Sequence, residues 1–215
     1  MMKIKLKMIN LIFSGIYFKQ KFAIGKNGDL IVSIKDDLKF FQNLTSNVST
    51  KVVNYHELES TLKYNVLLMG KNTWLSLPSN KKPLKNRVNF VLTHDTSLCK
   101  KHSLPKDYSK CKTDTVYYIT MKTFLKFYEK TRANVYVIGG SNVLNYFIDK
   151  SLADYIYLTE IYIDKQFVLD ADTFVNVFSS DYKLISISEK KYQNVFSYRH
   201  LTYKLDTSQR RSNEQ

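Results

Sequence analysis

The sequence predicts an α/β fold: a single domain with a mostly parallel central sheet of about eight strands, an antiparallel C-terminal edge and flanking helices. Three observations carry this. Short apolar, β-branched runs alternate with helical patterns along most of the chain. Two of these runs pass through glycine directly into a helix start, at Met69-Gly70-Lys71 and at Ile138-Gly139-Gly140-Ser141. The last two strand-like runs follow one another without a helix between them, so they are expected to pair antiparallel.

Taken in order, the chain opens with Lys3, Lys5 and Lys7 ahead of an apolar stretch. The stretch is too short for a secretory leader and lacks a small-residue cleavage site, so it reads as the first strand, over 10–17. A glycine-punctuated loop at 24–30 precedes a helix over 36–44. The polar segment 45–64 is weakly periodic and reads as an inserted connection. A strand at 65–69 enters a helix at 71–77, and strands follow at 87–92 and 116–119. Thr120 is placed to cap a helix over 121–130, in which Phe124, Leu125 and Tyr128 share a face. A strand at 135–138, a helix at 142–149 and a strand at 155–163 complete the alternation, and 182–188 and 196–205 form the edge pair. The domain is expected to span 1–206, with 207–215 a disordered tail.

Composition narrows the function. At 44% apolar and 14% aromatic residues, the 215-residue chain is too rich in core-formers to be disordered. A net charge of +14 draws anions, whether nucleic acid, acidic membranes or small polyanionic ligands. Cys99 and Cys111 have neither CxxC spacing nor a neighbouring histidine at ligand spacing, so they read as free thiols of a cytoplasmic protein and no metal site is expected. No run approaches the ~18 apolar residues that a membrane span requires.

Three constellations can carry chemistry. In the first, Ile24-Gly25-Lys26-Asn27-Gly28-Asp29-Leu30 contains an Asn-Gly turn, and the helix after it sets Asp37 one turn before Phe41, with Leu44 nearby. That face is expected to point inward, where a carboxylate needs a partner such as a flat amidine-like ligand. The helix taken alone favours a plainer account: Asp36 and Asp37 lie in the first turn because a helix N-terminus favours negative charge. In the second, Gly70, Lys71, Asn72 and Thr73 form a strand-to-helix junction able to hold phosphate, or one that merely exposes a lysine; Arg87 stands at the mouth of the next strand. In the third, Gly139 and Gly140 stand between a strand and a helix, where backbone can approach a pyrophosphate, although this is no GxGxxG fingerprint.

In this order, and over nearly the whole chain from Asn10 to Leu205, these segments resemble the dihydrofolate reductase family. The loop 24–30 is similar to its mobile active-site loop, Gly70 to Pro78 to its strand-helix motif ending in Trp-x-Ser-hydrophobic-Pro, and Ile138-Gly139-Gly140-Ser141 to its glycine pair. Asp172-Thr173-Phe174 is similar to the Asp-Thr that steadies the loop. The resemblance implies reduction of dihydrofolate by hydride transfer from NADPH, with the small-molecule substrate as partner, no nucleic acid or membrane, and a monomer. It implies that Asp37 holds the pterin amino group and adjacent ring nitrogen, supported by Thr159, while Phe41 and Leu38 lie against the ring. Ser76, Leu77 and Leu84 would line the benzoyl region and Arg87 would fork onto the glutamate α-carboxylate. Ile24, Gly25, Gly70 and Asn72 would border the cofactor. Ile138, Gly139, Gly140, Ser141 and Asn142 would receive its pyrophosphate, and Lys71, Thr73, Thr93 and His94 its 2′-phosphate.

The pattern departs from the family in places. Ile31-Val32 stand where Pro-Trp is usual, removing the indole that helps order water near the pterin and predicting lowered activity. Leu144 replaces a tyrosine often found near the nicotinamide, Lys35 replaces a proline, and Val175-Asn176 replace Phe-Pro. Rival readings are a folate-binding protein with decayed chemistry, a reductase of another pterin or pyrimidine, and a basic nucleic-acid-binding domain. The last has only the scattered pairs Lys81-Lys82, Lys100-Lys101 and Lys190-Lys191 to support it.

Overall fold

A computed structural model describes residues 7–46, 64–131, 133–164 and 170–206. Among these residues the chain forms, in order, β1 (Ile9–Phe18), β2 (Lys21–Lys26), β3 (Asp29–Leu30), α1 (Lys35–Ser46), β4 (Val66–Gly70), α2 (Lys71–Ser76), β5 (Val88–Leu92), α3 (Thr96–Lys101) and β6 (Val116–Ile119). These are followed by α4 (Met121–Lys130), β7 (Val135–Gly139), α5 (Ser141–Asp149), β8 (Tyr155–Tyr162), β9 (Thr173–Asn176), β10 (Tyr182–Ile187), β11 (Lys191–Gln193) and β12 (Phe196–Leu205). The elements fall into two compact units, one of the described residues within Met1–Met8 and Leu38–Gly140, the other of those within Ile9–Asp37 and Ser141–Gln215.

The first unit is a parallel sheet in the order β7-β4-β5-β6. Successive residues of β4, β5 and β7 are buried on both sides of the strand, the pattern of a sheet covered on both faces, while β6 alternates buried with half-buried residues. Leu67, Leu68, Phe90, Phe124 and Phe127 are fully buried, and Phe90 meets Phe127 edge to face at 4.8 Å. Each such side chain contributes roughly 1.5–3 kcal/mol by leaving water. Thr120 caps α4 by accepting from the Thr123 amide at 3.1 Å, as its position in the sequence suggests.

The second unit is mixed. β1 pairs parallel with β8, and β8, β12 and β10 then run antiparallel in turn. β2 pairs antiparallel with β1, β3 and β9, and β11 with β12. The antiparallel C-terminal edge of β10 and β12 and the parallel pairing of β1 with β8 and of β4 with β7 and β5 are therefore as expected, and the short antiparallel strands β2, β3, β9 and β11 are additions the sequence did not show. Their alternation is too brief to register as period-2 pattern. Leu144, Phe147 and Ile148 are the buried side of α5, so Leu144 is a core residue. A second cluster of Ile16, Ala23, Ile34, Ile161 and Tyr198 packs with Ile31 and Val32, which gives the pair replacing Pro-Trp an apolar role. The connection expected at 45–64 and the tail expected at 207–215 lie largely or wholly outside the described residues; Thr45 and Ser46 belong to α1.

Candidate active site

Two glycines, one in a turn and one in β2, shape the loop at 24–30. Asn27 and Gly28 both have positive φ, 53° and 85°, between paired Lys26 and Asp29, so the expected loop is a tight hairpin of β2 and β3. Asp172 steadies it: its Oδ2 accepts from the Asn27 amide at 2.7 Å, and its own amide donates to the Gly25 carbonyl at 3.2 Å. The Thr173 hydroxyl and the Asn27 amide hold the Asp172 carboxyl below the usual carboxylate range. At Gly25 a Cβ would lie 2.9 Å from the Asp29 carbonyl oxygen, so no side chain fits that crossing. Ile24, beside it, is half-buried.

The acid is built in the second unit. Asp36 and Asp37 both lie in the first turn of α1, as helix electrostatics favour, but their environments differ. Asp36 is half-exposed and bound by the Tyr198 hydroxyl at 3.2 Å and the Lys191 ammonium at 3.3 Å. Asp37 is largely withdrawn from water, its side chain 19% exposed, and its Oδ1 accepts a hydrogen bond from the Thr159 hydroxyl of β8. Burial raises its proton affinity above that of an ordinary carboxyl, an effect the Thr159 bond and His200 only partly offset. His200 of β12 lies directly across from Thr159 in the β8–β12 register, with Nδ1 2.9 Å from the Thr159 hydroxyl and 3.8 Å from Asp37 Oδ1. Sequence reasoning missed His200, because its position depends on strand register that no local pattern reveals.

The next turns of α1 belong to the first unit. Leu38 is exposed, Phe41 and Leu44 are half-buried, and Thr45 alone on the helix is buried. The face expected to point inward is thus only partly buried at Phe41 and Leu44. Arg87, immediately before β5, is 5% exposed. Its Nε donates to the Lys85 carbonyl at 2.8 Å and its Nη1 to the Thr45 hydroxyl at 2.7 Å, with the guanidinium carbon 5.7 Å from the centre of the Phe41 ring. Among the described residues no carboxylate lies within ion-pair distance of it. Burial lowers its basicity, against the more distant pull of Asp114. Buried Asn89 fixes this approach by bonding Leu84 N and O at 3.0 Å each and the Arg87 carbonyl at 3.0 Å, a support the sequence did not suggest.

The glycine pair is built against α2. Gly139 ends β7 with φ of +135°, and the peptide joining it to Gly140 is cis. A Cβ on Gly139 would lie 3.0 Å from the Thr73 hydroxyl oxygen, and one on Gly140 3.2 Å from the same atom. Gly139, Gly140 and Thr73 are thereby brought together, with half-buried Ile138 preceding them. Along the chain Ser141 and Asn142 open α5. Gly70 caps α2 with its backbone alone, and Lys71 and Asn72 are exposed in its first turn. The Ser76 hydroxyl turns back onto the Thr73 carbonyl at 2.9 Å, and Leu77 follows half-buried. Beyond β5, Thr93 is buried and accepts from the Asp95 amide at 3.1 Å, while His94 is exposed.

An α/β chain with a desolvated acid in one unit, and a desolvated guanidinium and a side-chain-free glycine pair in the other, belongs to a class: α/β proteins with the groups to hold small polar ligands. Comparison narrows it. A family model for dihydrofolate reductase matches residues 55–205, and the chain belongs to the dihydrofolate reductase family. It is 31% identical over 189 residues to the dihydrofolate reductase of Heliothis virescens, covering 85% of this chain and 90% of that protein. It is likewise 31% identical over 171 residues to the dihydrofolate reductase of Sus scrofa, covering 78% and 80% respectively. With the bifunctional dihydrofolate reductase-thymidylate synthase of Zea mays it shares 30% identity over 184 residues, spanning 31% of that longer protein. Asp37 lies ahead of the stretch the family model matches.

Proposed function

We propose that residues 1–206 work as one domain that reduces 7,8-dihydrofolate to tetrahydrofolate with NADPH. The observation that carries this reading is the buried Asp37 carboxyl, whose proton affinity is raised and which accepts a hydrogen bond from the Thr159 hydroxyl. A carboxylate in that setting gains most from a planar ligand offering two N–H groups side by side, as the pterin amino group and adjacent ring nitrogen do. Asp37 would hold that edge with Thr159 behind it, and its charge would raise the proton affinity of the ring, so that N5 is protonated through water.

Phe41 would lie over the pterin with Leu38 beside it, and Ser76, Leu77 and Leu84 would line the benzoyl group. Arg87 would fork onto the glutamate α-carboxylate. Its bonds to Lys85 and Thr45 occupy two of its five N–H groups, and among the described residues the other three are open to an anion. For the nucleotide, the bare backbone of Gly139 and Gly140 fits a pyrophosphate, and Ser141 and Asn142 would add donors from the start of α5. Lys71, Thr73, Thr93 and His94 would face the 2′-phosphate, favouring NADPH over NADH. The cofactor, when bound, supplies the hydride for pterin C6; the protein's part is placement and exclusion of water.

One experiment tests the reading: loss of NADPH absorbance when purified protein meets dihydrofolate, with methotrexate as control. Methotrexate-sensitive oxidation is expected. Tight methotrexate binding without oxidation would instead favour a folate-binding protein with decayed chemistry, which the Ile31-Val32 replacement would explain.

A further inference from the structure

We propose that His200 is a positioning residue: through the single hydrogen of the Thr159 hydroxyl it aims that hydroxyl at Asp37 and sets the readiness of the carboxyl to take a proton. The inference rests on Asp37 being the acid of the reaction proposed above, but its geometry stands independently.

A threonine hydroxyl owns one hydrogen, and Thr159 Oγ1 lies between two groups able to compete for it, Asp37 Oδ1 and His200 Nδ1. When Asp37 is ionised it can only accept, so Thr159 must donate to it. His200 Nδ1, 2.9 Å away, must then carry hydrogen and donate to Oγ1. The chain of donors runs one way, from imidazole to hydroxyl to carboxylate. When Asp37 is protonated, the chain can reverse, with carboxyl donating to hydroxyl and hydroxyl to a bare Nδ1. The tautomer of His200 and the proton on Asp37 are therefore coupled across two strands. Thr159 is 2% exposed, so water does not readily substitute for either neighbour.

The groups facing His200 set its charge. Asp37 and Asp36 of α1 favour the imidazolium, Lys191 of β11 opposes it, and burial opposes it most. The Tyr198 ring packs edge to face at 5.8 Å, and the His200 backbone amide is held by the Ser188 hydroxyl at 2.9 Å. The outcome is a titration below the ordinary histidine value, so His200 is neutral near pH 7 and serves as a donor rather than a charge.

The test compares His200→Leu, which removes the donor, with His200→Asn, whose amide nitrogen can occupy the Nδ1 position and donate without titrating. The readout is the midpoint of the alkaline limb of turnover. His200→Leu should move it to higher pH by roughly half to one unit, the effect of one lost hydrogen bond to an ionised group's partner. His200→Asn should return it to the wild-type position. Equal midpoints in all three proteins, or equal displacement in both variants, would overturn the proposal. Nitrogen-detected magnetic resonance of the unliganded full chain gives a second reading that needs no turnover. The Nδ1–H tautomer is expected above the histidine titration, and Asp37→Asn should shift that titration to lower pH. An Nε2–H tautomer beside ionised Asp37 would overturn the proposal even if the protein proved an active reductase, and the expected tautomer would sustain it even if dihydrofolate were not the substrate.

Discussion

Asp37 and Arg87 are both charged side chains drawn out of water, yet they meet the cost differently. Asp37 can take up a proton, and its raised proton affinity records that escape. Arg87 cannot lose its charge at any ordinary pH, so although burial lowers its basicity it remains a cation supported by neutral acceptors, the Lys85 carbonyl and the Thr45 hydroxyl. The acid is thus a pH-dependent group and the guanidinium a fixed one. A buried cation whose partners among the described residues are neutral is also the more demanding of an external anion.

The largest expected effect breaks the pair at its acid. Asp37→Asn should lower turnover of dihydrofolate by about 10²–10⁴-fold near neutral pH, the usual contribution of a positioned acid-base group. It should also melt at a higher temperature than wild type at pH 7 to 8. The sign follows from the raised proton affinity: the folded chain binds the Asp37 proton more tightly than the unfolded chain, so wild-type stability declines as pH rises through the folded value. Asparagine has no such decline, and the difference in melting temperature should close as pH falls below the ordinary carboxylate value. A variant that is less stable than wild type at every pH would show that the ionised carboxylate is better satisfied than its burial suggests.

Arg87→Leu comes next. Loss of charge-assisted bonds worth about 1.5–3 kcal/mol should raise the KM for dihydrofolate by roughly 10- to 100-fold, leaving kcat within a few-fold. The increase should be the same at pH 6 and pH 8. A strong pH dependence would mean that the guanidinium acts on the acid rather than on the substrate.

An exposed cation supplies the contrast to the buried one. Lys71→Ala should raise the KM for NADPH roughly 2- to 10-fold and that for NADH much less, because an exposed charge acts through a solvent-screened field. The effect should fade at high salt, where that of Arg87→Leu persists. Equal changes for the two nucleotides would place the 2′-phosphate elsewhere.

The same contrast between local and distant causes decides what was legible in the sequence. The Asn27-Gly28 turn was readable because positive φ is written into those two residues. The hairpin between β1 and β2 makes the same kind of turn with Lys19 and Gln20, φ of 46° and 60°, and gave no sign of it. There the strand pairing imposes the conformation. Likewise α4 announced itself through Thr120 and a long apolar face, while α3 did not: Asp95 caps it at Ser97 and Leu98, but one and a half turns are too few to show a period. At the site, Asp37, Arg87 and the Gly139-Gly140 pair each sit at a strand or helix boundary that pattern can locate, whereas Thr159, in the interior of β8, was reached through the family resemblance. His200, Asn89 and Thr45 support them from positions fixed only by register and packing.

Thr45 offers the finest discrimination, because its hydroxyl is used in both directions. It donates to the Phe41 carbonyl at 2.8 Å and accepts from Arg87 Nη1 at 2.7 Å, and the residue is fully buried. Valine preserves the shape and removes both bonds. The Phe41 carbonyl loses only a supplementary donor, whereas the Arg87 N–H is left facing a methyl group inside the protein. Thr45→Val should therefore cost about 1–3 kcal/mol of stability by chemical denaturation, with a rise of a few-fold in the KM for dihydrofolate as the guanidinium loses its orientation. Thr45→Ser should keep both properties close to wild type. The decisive comparison is the double variant with Arg87→Leu: once the cation is gone, valine at 45 should cost markedly less, and a full additive cost would show that Thr45 serves the helix rather than the guanidinium.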